Sequence, residues 1–310
     1  MQYAVLPGSD LAVSRIALGT WLFGGRRWGI VDERESVRTI QSAIDSGVTF
    51  FDTADAYGIG HAETLLGRAL RGRRANAVIA TKVGVVWRDD GTRVMDLSPS
   101  HIRRALLESM KRLQTDVIDL YQLHEMDPAT PIAETGLALR ALRESGAIRH
   151  VGVSNFDTPT LTALREIVPV LTTQSEYSLV RRSIEEELVP YCRANGIAML
   201  AYSPLCRGLL SGKFTGVSVF AETDNRHYDE EFQGAAFATN LRRVSRLATL
   251  AAETGCSVAA LSIRWVLEAP FVSAVISGAR TAAQLEENLR ALDTPMSPDV
   301  WARVSGLFPA

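Results

Sequence analysis

The stretch from Phe50 to Gly58, which reads FFDTADAYG, joins an apolar run directly to a polar turn. The run from Val48 to Phe51 is typical of a buried strand, and the turn carries the carboxylate of Asp52 and the phenol of Tyr57. In parallel α/β proteins, ligands bind at the carboxyl ends of the strands. The stretch therefore predicts a strand of a parallel α/β fold with functional side chains at its end.

Apolar runs of this kind alternate with amphipathic stretches along the whole chain. The runs are short and continuous, as expected for strands that are covered on both faces. The eight predicted strands are Ile16 to Leu18, Thr49 to Phe51, Val78 to Thr81, Val117 to Leu123, His150 to Val153, Leu171 to Gln174, Ile197 to Ala201 and Val272 to Ile276. Eight parallel strands close a (β/α)8, or TIM, barrel. We therefore predict one barrel domain over residues 1–310, with extra loops and C-terminal helices at the barrel mouth.

Helix boundary signals lie between the predicted strands. Asp32 precedes a helical pattern that Ser46-Gly47 ends, and Ser98-Pro99 opens another, because Pro suits the first turn of a helix. One segment, Phe214 to Ala238, departs from this rhythm because it is long, polar and glycine-bearing. A loop of that length in a compact domain is usually functional, so the segment is a candidate lid over the barrel mouth.

The composition indicates a soluble protein with a small-molecule partner. The formal net charge is −2, without the basic patch that nucleic acid or an anionic membrane requires. Neither a secretory leader nor an apolar run of membrane-spanning length is apparent, so we expect a cytoplasmic protein. The three cysteines, Cys192, Cys206 and Cys256, are scattered, which favours reduced thiols over disulfides or a paired-cysteine metal site.

Two later strands end in the same way as the first stretch. Lys82 follows the run VIAT, and His124 follows VIDLYQL. In a closed barrel these side chains meet Asp52 and Tyr57 at one mouth. A lysine ammonium beside a tyrosine favours the phenolate, a carboxylate keeps the lysine charged, and a histidine can orient a carbonyl oxygen. This set predicts protonation of a carbonyl oxygen while a hydride reaches its carbon.

Other interpretations of these residues are weaker. Asp52 and Lys82 can form an ordinary ion pair at the barrel mouth. A Schiff-base role for Lys82 is disfavoured, because a nearby Asp52 keeps the lysine protonated. A zinc site at His61-Ala62-Glu63 lacks a paired-cysteine motif, so no metal is predicted. The run from Gly58 to Glu63 starts like a dinucleotide-binding loop but has Glu63 in place of the third glycine.

The end of the eighth strand is the candidate site for a hydride donor. The sequence from Ile276 to Thr281 opens a helix, whose amino terminus favours phosphate, and Arg280 adds a planar donor fork suited to a ribose 2′-phosphate. This suggests NADP(H) over NAD(H). At other strand ends, Gly152 to Phe156 and Gln174 offer groups suited to a carboxamide, and Tyr202 offers a ring that can stack on a nicotinamide. Local turn chemistry is the alternative for each.

Eight motifs, in order along nearly the whole chain, resemble the aldo-keto reductase superfamily. They are GTW (Gly19 to Trp21), FDTADAYG (Phe51 to Gly58), ATKVG (Ala80 to Gly84), DLYQLH (Asp119 to His124), GVSNF (Gly152 to Phe156), QSEYS (Gln174 to Ser178), AYSPLCRGLLSGK (Ala201 to Lys213), and GAR with QLEEN (Gly278 to Arg280, Gln284 to Asn288). GHAE (Gly60 to Glu63) and LCRGLLSG (Leu205 to Gly212) resemble the bacterial general-stress-protein-like branch.

The resemblance implies a (β/α)8 barrel that binds NADPH, with a catalytic tetrad of Asp52, Tyr57, Lys82 and His124. Tyr57 is then the general acid in reduction and the base in oxidation. Ser154, Asn155 and Gln174 hold the carboxamide, Tyr202 stacks on the nicotinamide, and Ser203, Leu205, Gly208 and Leu210 lie along the pyrophosphate. Arg280, Gln284 and Asn288 surround the 2′-phosphate and Glu287 contacts the adenine. The same motifs place Gly19, Thr20, Trp21, Asp52, Pro204, Gly212, Lys213 and Gly278 at the cofactor.

Two positions depart from the family pattern. Ser277 stands where many relatives have proline, and Glu125-Met126 follows His124 where many have Trp-Pro. A carboxylate beside His124 is expected to raise the pKa of the histidine and to disfavour anionic substrates. We predict that Glu125→Gln raises kcat/KM for carboxylate-bearing aldehydes relative to neutral ones. The alternative is that Glu125 turns toward the rim and has no effect.

The sequence thus predicts an NADP(H)-dependent carbonyl reductase, of the class that also runs in reverse as an alcohol dehydrogenase. The predicted substrate pocket comprises Trp21, Trp28, Tyr57, Trp87, His124 and Glu125. The protein is expected to be a monomer or a weak homo-oligomer. Some proteins with this fold, such as the cytoplasmic β subunits of potassium channels, look like redox sensors that bind the nucleotide and regulate a partner, and this role stays open. So does a narrow specificity for one sugar or natural-product ketone.

Overall fold

The computed structural model of the protein describes residues 1–25 and 29–309. In chain order its strands are β1 (Tyr3–Val5), β2 (Ala12–Ser14), β3 (Ile16–Gly19), β4 (Phe50–Asp52), β5 (Val78–Val83), β6 (Val85–Trp87), β7 (Arg93–Met95), β8 (Ile118–Leu123), β9 (Ile148–Ser154), β10 (Val170–Glu176), β11 (Ala198–Tyr202) and β12 (Val272–Gly278). Its helices are α1 (Glu33–Asp45), α2 (His61–Ala69), α3 (Pro99–Leu113), α4 (Ile132–Glu144), α5 (Thr158–Arg165), α6 (Leu188–Asn195), α7 (Gly234–Glu253), α8 (Val258–Glu268), α9 (Ala282–Leu289) and α10 (Pro298–Leu307).

Eight of the strands form a closed parallel barrel. The order around it is β3, β4, β5, β8, β9, β10, β11 and β12, and β12 pairs with β3 to complete the ring. These are the eight strands that the apolar runs predict, with shifts of a few residues at their ends. The predicted (β/α)8 barrel is confirmed.

The boundary residues of two helices act as the sequence indicates. The carboxylate of Asp32 accepts hydrogen bonds from the backbone amides of Arg34 and Glu35 at the start of α1. The hydroxyl of Ser98 accepts one from the amide of His101, with Pro99 in the first turn of α3. These caps satisfy backbone amides that lack a partner within the helix, and they fix the residues at which α1 and α3 begin.

The N-terminal hairpin of β1 and β2 closes one end of the barrel, which the strand pattern does not reveal. Three of its apolar side chains, Leu6, Leu11 and Val13, are buried in one cluster with the barrel interior. Interior members of this cluster include Ala17, Phe50, Ala80, Leu120, Leu200 and Ala274. With this end plugged, the ligand site is left at the opposite end, where the strands terminate.

Two connections differ from expectation. The loop from Val85 to Leu97 contains the antiparallel hairpin of β6 and β7, an element too short for its sequence pattern to stand out. The predicted lid segment ends earlier than expected, because α7 begins at Gly234 and the residues up to Ala238 are helical. The remainder holds two short 3-10 turns, Asn225–Tyr228 and Glu230–Phe232.

The C-terminal helix α10 packs on the outer ring. The indole of Trp301 stacks on that of Trp265 in α8, with ring centroids 5.9 Å apart. Arg182, in the connection after β10, donates a hydrogen bond to the carbonyl of Phe308 at 3.1 Å. In the described ranges no single helix is long and apolar enough to cross a membrane; α7 and α8 meet that test only as a pair, across an 89° bend.

Candidate active site

A buried lysine lies between a carboxylate and a phenol at the barrel mouth. The ammonium of Lys82, from β5, donates to the Asp52 carboxylate at 2.6 Å and to the Tyr57 hydroxyl at 3.0 Å. It also donates to the backbone carbonyl of Thr53 at 3.0 Å. The side chains of Lys82 and Asp52 are only 1% and 4% exposed, so water does not screen their attraction.

The pKa values of the pair follow from this burial. Burial lowers the pKa of Lys82, but the charge of Asp52 and the contact with Tyr57 outweigh it, so the pKa of Lys82 is raised. Burial raises the pKa of Tyr57, and Lys82 opposes that rise without cancelling it. Lys82 thus acts on the phenol in the expected direction, and it is held as a cation.

His124 faces the phenol from the next strand end. It follows β8, its amide donates to the carbonyl of Val83 at 2.9 Å, and its ring meets the Tyr57 ring edge-on with centroids 5.7 Å apart. Burial, together with the charges of Lys82 and Arg93, holds the pKa of His124 well below its usual range. The imidazole is therefore neutral at physiological pH and acts as a hydrogen-bonding group rather than as a cation.

The expectation that Glu125 raises the pKa of His124 is wrong. The Glu125 carboxylate forms an ion pair with the guanidinium of Arg93 in β7. Arg93 is a positive charge at the same rim, and it acts on His124 in the opposite sense. The sequence does not reveal this partner because Arg93 lies 32 positions away, in a hairpin that the strand pattern misses.

Two glutamines complete the surroundings of Asp52. The side-chain amide of Gln174, in β10, donates to the second carboxylate oxygen at 2.8 Å, and that of Gln122, in β8, does so at 3.4 Å. Gln174 therefore contacts the tetrad itself, and its predicted role toward a carboxamide stays a prediction. No role was predicted for Gln122, which is fully buried; the signal in the sequence is an amide side chain between the apolar strand residues Tyr121 and Leu123.

A second buried carboxylate cluster lies behind Lys82. Glu63, in α2, is fully buried, and its carboxylate accepts from the Thr81 hydroxyl at 2.5 Å and from the Arg112 guanidinium at 2.7 Å. Asp55 lies beside it and has one carboxylate oxygen with no hydrogen-bond partner among the described residues. Burial and the charge of Glu63 raise the pKa of Asp55 to about 8. Asp55 lies within the stretch from Phe50 to Gly58, and no role was predicted for it from the sequence.

Asp55→Asn is expected to change how stability depends on pH. The folded protein holds a proton on Asp55 up to about pH 8, whereas the unfolded chain releases it near the ordinary pKa of 3.8. The stability of the parent relative to the variant should therefore fall as the pH rises between these values, by a total of about 6 kcal/mol. Urea unfolding of both proteins at pH 4.5, 6 and 8 measures the difference, and parallel stability curves would contradict the assignment.

The turn after β3 holds Trp21 against the phenol. Gly24, the last residue of the 3-10 turn Trp21–Gly24, lies so close to Gly58 that a Cβ on Gly58 would stand 2.4 Å from the Gly24 carbonyl oxygen. Gly58 also has a φ of +63°, which favours glycine. The Trp21 ring consequently stacks on the Tyr57 ring at 6.2 Å. Trp87 ends β6 in the hairpin over the mouth, half-buried, whereas Trp28 lies outside the described residues.

The predicted carboxamide and nicotinamide residues form one hydrogen-bonded chain. The side-chain amide of Asn155 donates to the Ser154 hydroxyl at 3.1 Å, and its oxygen accepts from the Tyr202 hydroxyl at 3.0 Å. Asn155 has a φ of +56°, an uncommon conformation outside glycine, which aims its side chain at the mouth end of β11. The structure thus brings these three together one strand away from His124, whose carbonyl accepts from Asn155 at 3.4 Å.

The connection after β11 has a strained backbone. Ser203, Cys206 and Arg207 all have positive φ values, of 54°, 44° and 52°. Such strain persists where the surroundings enforce it and is concentrated at functional sites. Within this connection the amides of Gly208 and Leu210 donate to the Leu205 carbonyl, so two amides of the predicted pyrophosphate loop are already used. Pro204 is buried, and Gly212 ends the turn with a φ of +76°.

The end of β12 and the start of α9 form the remaining part of the predicted cofactor site. Gly278 pairs with Gly19 across the ladder, and the next residue, Thr20, donates its amide to the Asp52 carbonyl at 2.9 Å. The Gln284 side chain accepts from the Arg280 amide at 2.8 Å, and the buried Asn288 donates to the Gly278 carbonyl at 3.1 Å. Glu287 forms an ion pair with Arg290 at 3.3 Å.

The barrel and the side chains at its mouth together define a TIM-barrel oxidoreductase. The model of the Aldo/keto reductase family matches residues 15–308. The chain belongs to the aldo/keto reductase family, as its motifs predict.

The chain aligns with its relatives along nearly its full length. Aldo-keto reductase YhdN of Bacillus subtilis (strain 168) is 40% identical over 289 residues, which cover 92% of this chain and 87% of that protein. The NADH-specific methylglyoxal reductase of Escherichia coli (strain K12) is 34% identical, covering 96% of this chain and 95% of that protein. Among solved structures, the glycerol dehydrogenase AKR11B4 of Gluconobacter oxydans superposes with a TM-score of 0.92 at 36% identity, covering 98% and 94% of the two chains. The protein is thus an oxidoreductase that acts on carbonyl compounds.

Proposed function

We propose that this protein reduces an aldehyde or ketone to an alcohol with NADP(H), with Tyr57 as the proton donor. One observation carries the proposal: the Lys82 ammonium contacts both the Asp52 carboxylate and the Tyr57 hydroxyl inside the barrel mouth. A proton donor must have its conjugate base stabilised at the moment of transfer. A buried cation 3.0 Å from the phenol oxygen supplies that stabilisation.

Each member of the tetrad then has a distinct task. Tyr57 gives its proton to the carbonyl oxygen, and Lys82 stabilises the phenolate that remains. Asp52, held by the amide of Gln174, keeps Lys82 charged and in place. The neutral imidazole of His124, edge-on to the Tyr57 ring, orients the carbonyl oxygen by a hydrogen bond. The rings of Trp21 and Trp87 exclude water from one side of the substrate.

The residues at the end of β11 and β12 fit a phosphorylated dinucleotide. Lys213 follows the strained connection, and Arg280 lies just before the N-cap of α9. Burial, together with the charges of Arg226 and Arg280, lowers the pKa of Lys213, so the Lys213 and Arg280 cations act on the same region. Two cations at one end and the Asn155–Tyr202 pair nearer the tetrad match the phosphate and nicotinamide ends of NADP(H). When bound, this cofactor supplies the hydride. The related Escherichia coli protein is named NADH-specific, so the choice between the two nucleotides needs a direct test.

The test is the loss of reduced-nucleotide absorbance with a panel of neutral aldehydes and ketones, run in parallel with NADPH and NADH. We expect turnover with simple aldehydes and a higher kcat/KM for NADPH than for NADH. Equal or better use of NADH would overturn the nucleotide preference but not the reductase. Tight binding of either nucleotide without turnover on any carbonyl would instead favour a nucleotide-sensing protein of the potassium-channel β-subunit kind.

The rim pair of Glu125 and Arg93 is expected to set a preference for substrate charge. Burial is the main cause that raises the pKa of Tyr202 and lowers that of His124, and the charges of Glu125 and Arg93 add to these two shifts, so both charges act on the site. Glu125→Gln leaves Arg93 uncompensated, so kcat/KM for anionic relative to neutral aldehydes should rise about threefold to tenfold. Arg93→Gln is the matched variant and should lower the same ratio. If both variants leave the ratio unchanged, the pair has no influence on substrate choice.

A further inference from the structure

Two buried acids lie directly behind the proposed proton donor, and no step of the proposed reaction uses them. Asp55 lies in the turn between Asp52 and Tyr57. Glu63 belongs to the GHAE motif at the start of α2. The backbone amide of Asp55 donates to the carbonyl of Lys82 at 3.3 Å, so the turn is attached to β5 at the lysine itself. The two acids are therefore placed where their charges act on the tetrad.

Glu63 has a partner for each of its carboxylate oxygens. The Thr81 hydroxyl donates to one oxygen at 2.5 Å, and the Arg112 guanidinium donates to the other at 2.7 Å. The Arg112 side chain lies against Gly60, where a Cβ would stand 2.5 Å from it. A charge-assisted hydrogen bond of this kind favours the ionised carboxylate. Glu63 is therefore a fixed negative charge, balanced by Arg112.

Asp55 is in a different situation. One oxygen of its carboxyl group is buried and has no hydrogen-bond partner within the described residues. Two cations act on this group, but Lys82 is paired with Asp52, and Arg112 is paired with Glu63. A buried carboxylate without a counter-ion of its own is costly, so the group keeps its proton instead. Burial, together with the charge of Glu63, accordingly raises the pKa of Asp55 to about 8.

The proton on Asp55 matters for the phenol two residues later. Burial is the main cause that raises the pKa of Tyr57; Lys82 opposes the rise, and the charges of Asp52 and Asp55 add to it. A neutral Asp55 lets Lys82 stabilise the phenolate, whereas a carboxylate at this position opposes Lys82. The charged and titratable groups that face Asp55 are Glu63 from α2, Arg112 from α3, Lys82 from β5, Tyr121 from β8 and Tyr57 from its own turn.

We propose that Asp55 is a positioning residue for the proton transfer, whose uncharged carboxyl group is required for Lys82 to stabilise the Tyr57 phenolate. This inference rests on the proposed role of Tyr57 as the proton donor and deepens it. Asp55 neither gives nor receives the transferred proton, which passes from Tyr57 to the carbonyl oxygen. Glu63 gives the GHAE motif a task, because it repels a second negative charge and keeps Arg112 away from Asp55.

The first test is the pH dependence of the single-turnover rate at which a neutral aldehyde oxidises bound NADPH. Between pH 6.5 and pH 9.5 the parent rate should fall about threefold to tenfold, because the charge that forms on Asp55 opposes the phenolate. Asp55→Asn removes the group that titrates, so its rate should stay level over this range. Glu63→Gln lets Arg112 pair with Asp55, so the fall should occur at a lower pH than in the parent.

The second test follows the proton on Asp55 without turnover. Infrared spectra of the protein without nucleotide should show the C=O band of a protonated carboxylic acid that is present at pH 6.5 and lost at pH 9.5. Asp55→Asn should lack this band, and in Glu63→Gln the band should disappear at a lower pH than in the parent. A spectrum of Asp55→Asn with the same band as the parent would show that Asp55 is not the protonated acid.

Controls separate this inference from the function on which it rests. Asp116→Asn neutralises an exposed acid and should show the same pH profile and the same band as the parent. Thermal melting checks that each variant is folded, and Asp55→Ser is the replacement if Asp55→Asn does not fold. If the rates of the parent and of Asp55→Asn fall together, the role of Asp55 is overturned. If Tyr57→Phe reduces the aldehyde at the parent rate, the proposed proton donor itself fails, whatever the infrared spectra show.

Discussion

Tyr57→Phe is expected to lower kcat for carbonyl reduction by about a thousandfold, the effect of removing a positioned general acid. The change removes one oxygen and keeps the ring, so the stacking on Trp21 and the edge contact with His124 should survive. It removes the proposed proton donor and leaves Lys82 with Asp52 and the Thr53 carbonyl as partners. Single-turnover oxidation of NADPH by a neutral aldehyde measures the loss.

Cofactor binding provides the control for that prediction. Within the described residues, the Tyr57 hydroxyl is hydrogen-bonded to Lys82 rather than to the proposed cofactor residues at the ends of β11 and β12. Titration with NADPH should therefore give the same Kd for the parent and for Tyr57→Phe. A variant that retains a substantial fraction of the parent kcat would show that another group, with His124 the nearest candidate, donates the proton.

Lys82→Met is expected to abolish turnover and to destabilise the fold by about 3 to 5 kcal/mol, as breaking a buried ion pair does when one charge is left without its partner. The methionine fills most of the volume of the lysine, so loss of packing contributes little. What remains is a carboxylate with a 4% exposed side chain, which accepts hydrogen bonds from the side-chain amides of Gln174 and Gln122 among the described residues. Urea unfolding monitored by tryptophan fluorescence measures the free energy of unfolding.

The double variant Asp52→Asn/Lys82→Met distinguishes an uncompensated charge from a packing defect. Replacing the carboxylate by a neutral amide removes the charge that Lys82 balances, so the double variant should recover most of the lost stability. It should remain inactive, because neither variant can stabilise the Tyr57 phenolate. A double variant that is less stable than Lys82→Met would mean that the lysine contributes mainly through its packing.

Some features of the structure can be predicted from short-range patterns in the sequence. The Asp32 and Ser98 caps, the eight apolar strands and the meeting of Asp52, Lys82, Tyr57 and His124 are all of this kind. Each depends on a short-range pattern, because hydrophobic continuity marks a buried strand and barrel closure brings all strand ends to one mouth. This is why the tetrad was predictable before any side-chain contact was known.

The residues that interact with this tetrad and its neighbours, in contrast, could not be predicted from the sequence. Burial, Lys82 and Arg93 lower the pKa of His124, and burial and Glu63 raise the pKa of Asp55. Neither Arg93 nor Glu63 can be recognised as a partner from the local sequence. Arg226 contacts the rings of Phe214 and Phe220 within a segment in which the sequence predicts no side-chain contact. Whether such contacts form depends on which side chains the loops between strands and helices bury. It also depends on how close charged side chains of different loops come in the folded chain.

Periodicity, strand ends and ordered motifs are enough to predict the barrel, the family and the identity of the chemical groups at the barrel mouth. The electrostatic state of those groups became apparent from the folded structure: a cationic Lys82, a neutral His124, a protonated Asp55 and a cluster of cations around Lys213. This is because pKa values depend on burial and on charges a few ångströms away. Residues that are far apart in the sequence become such neighbours only when the chain is folded.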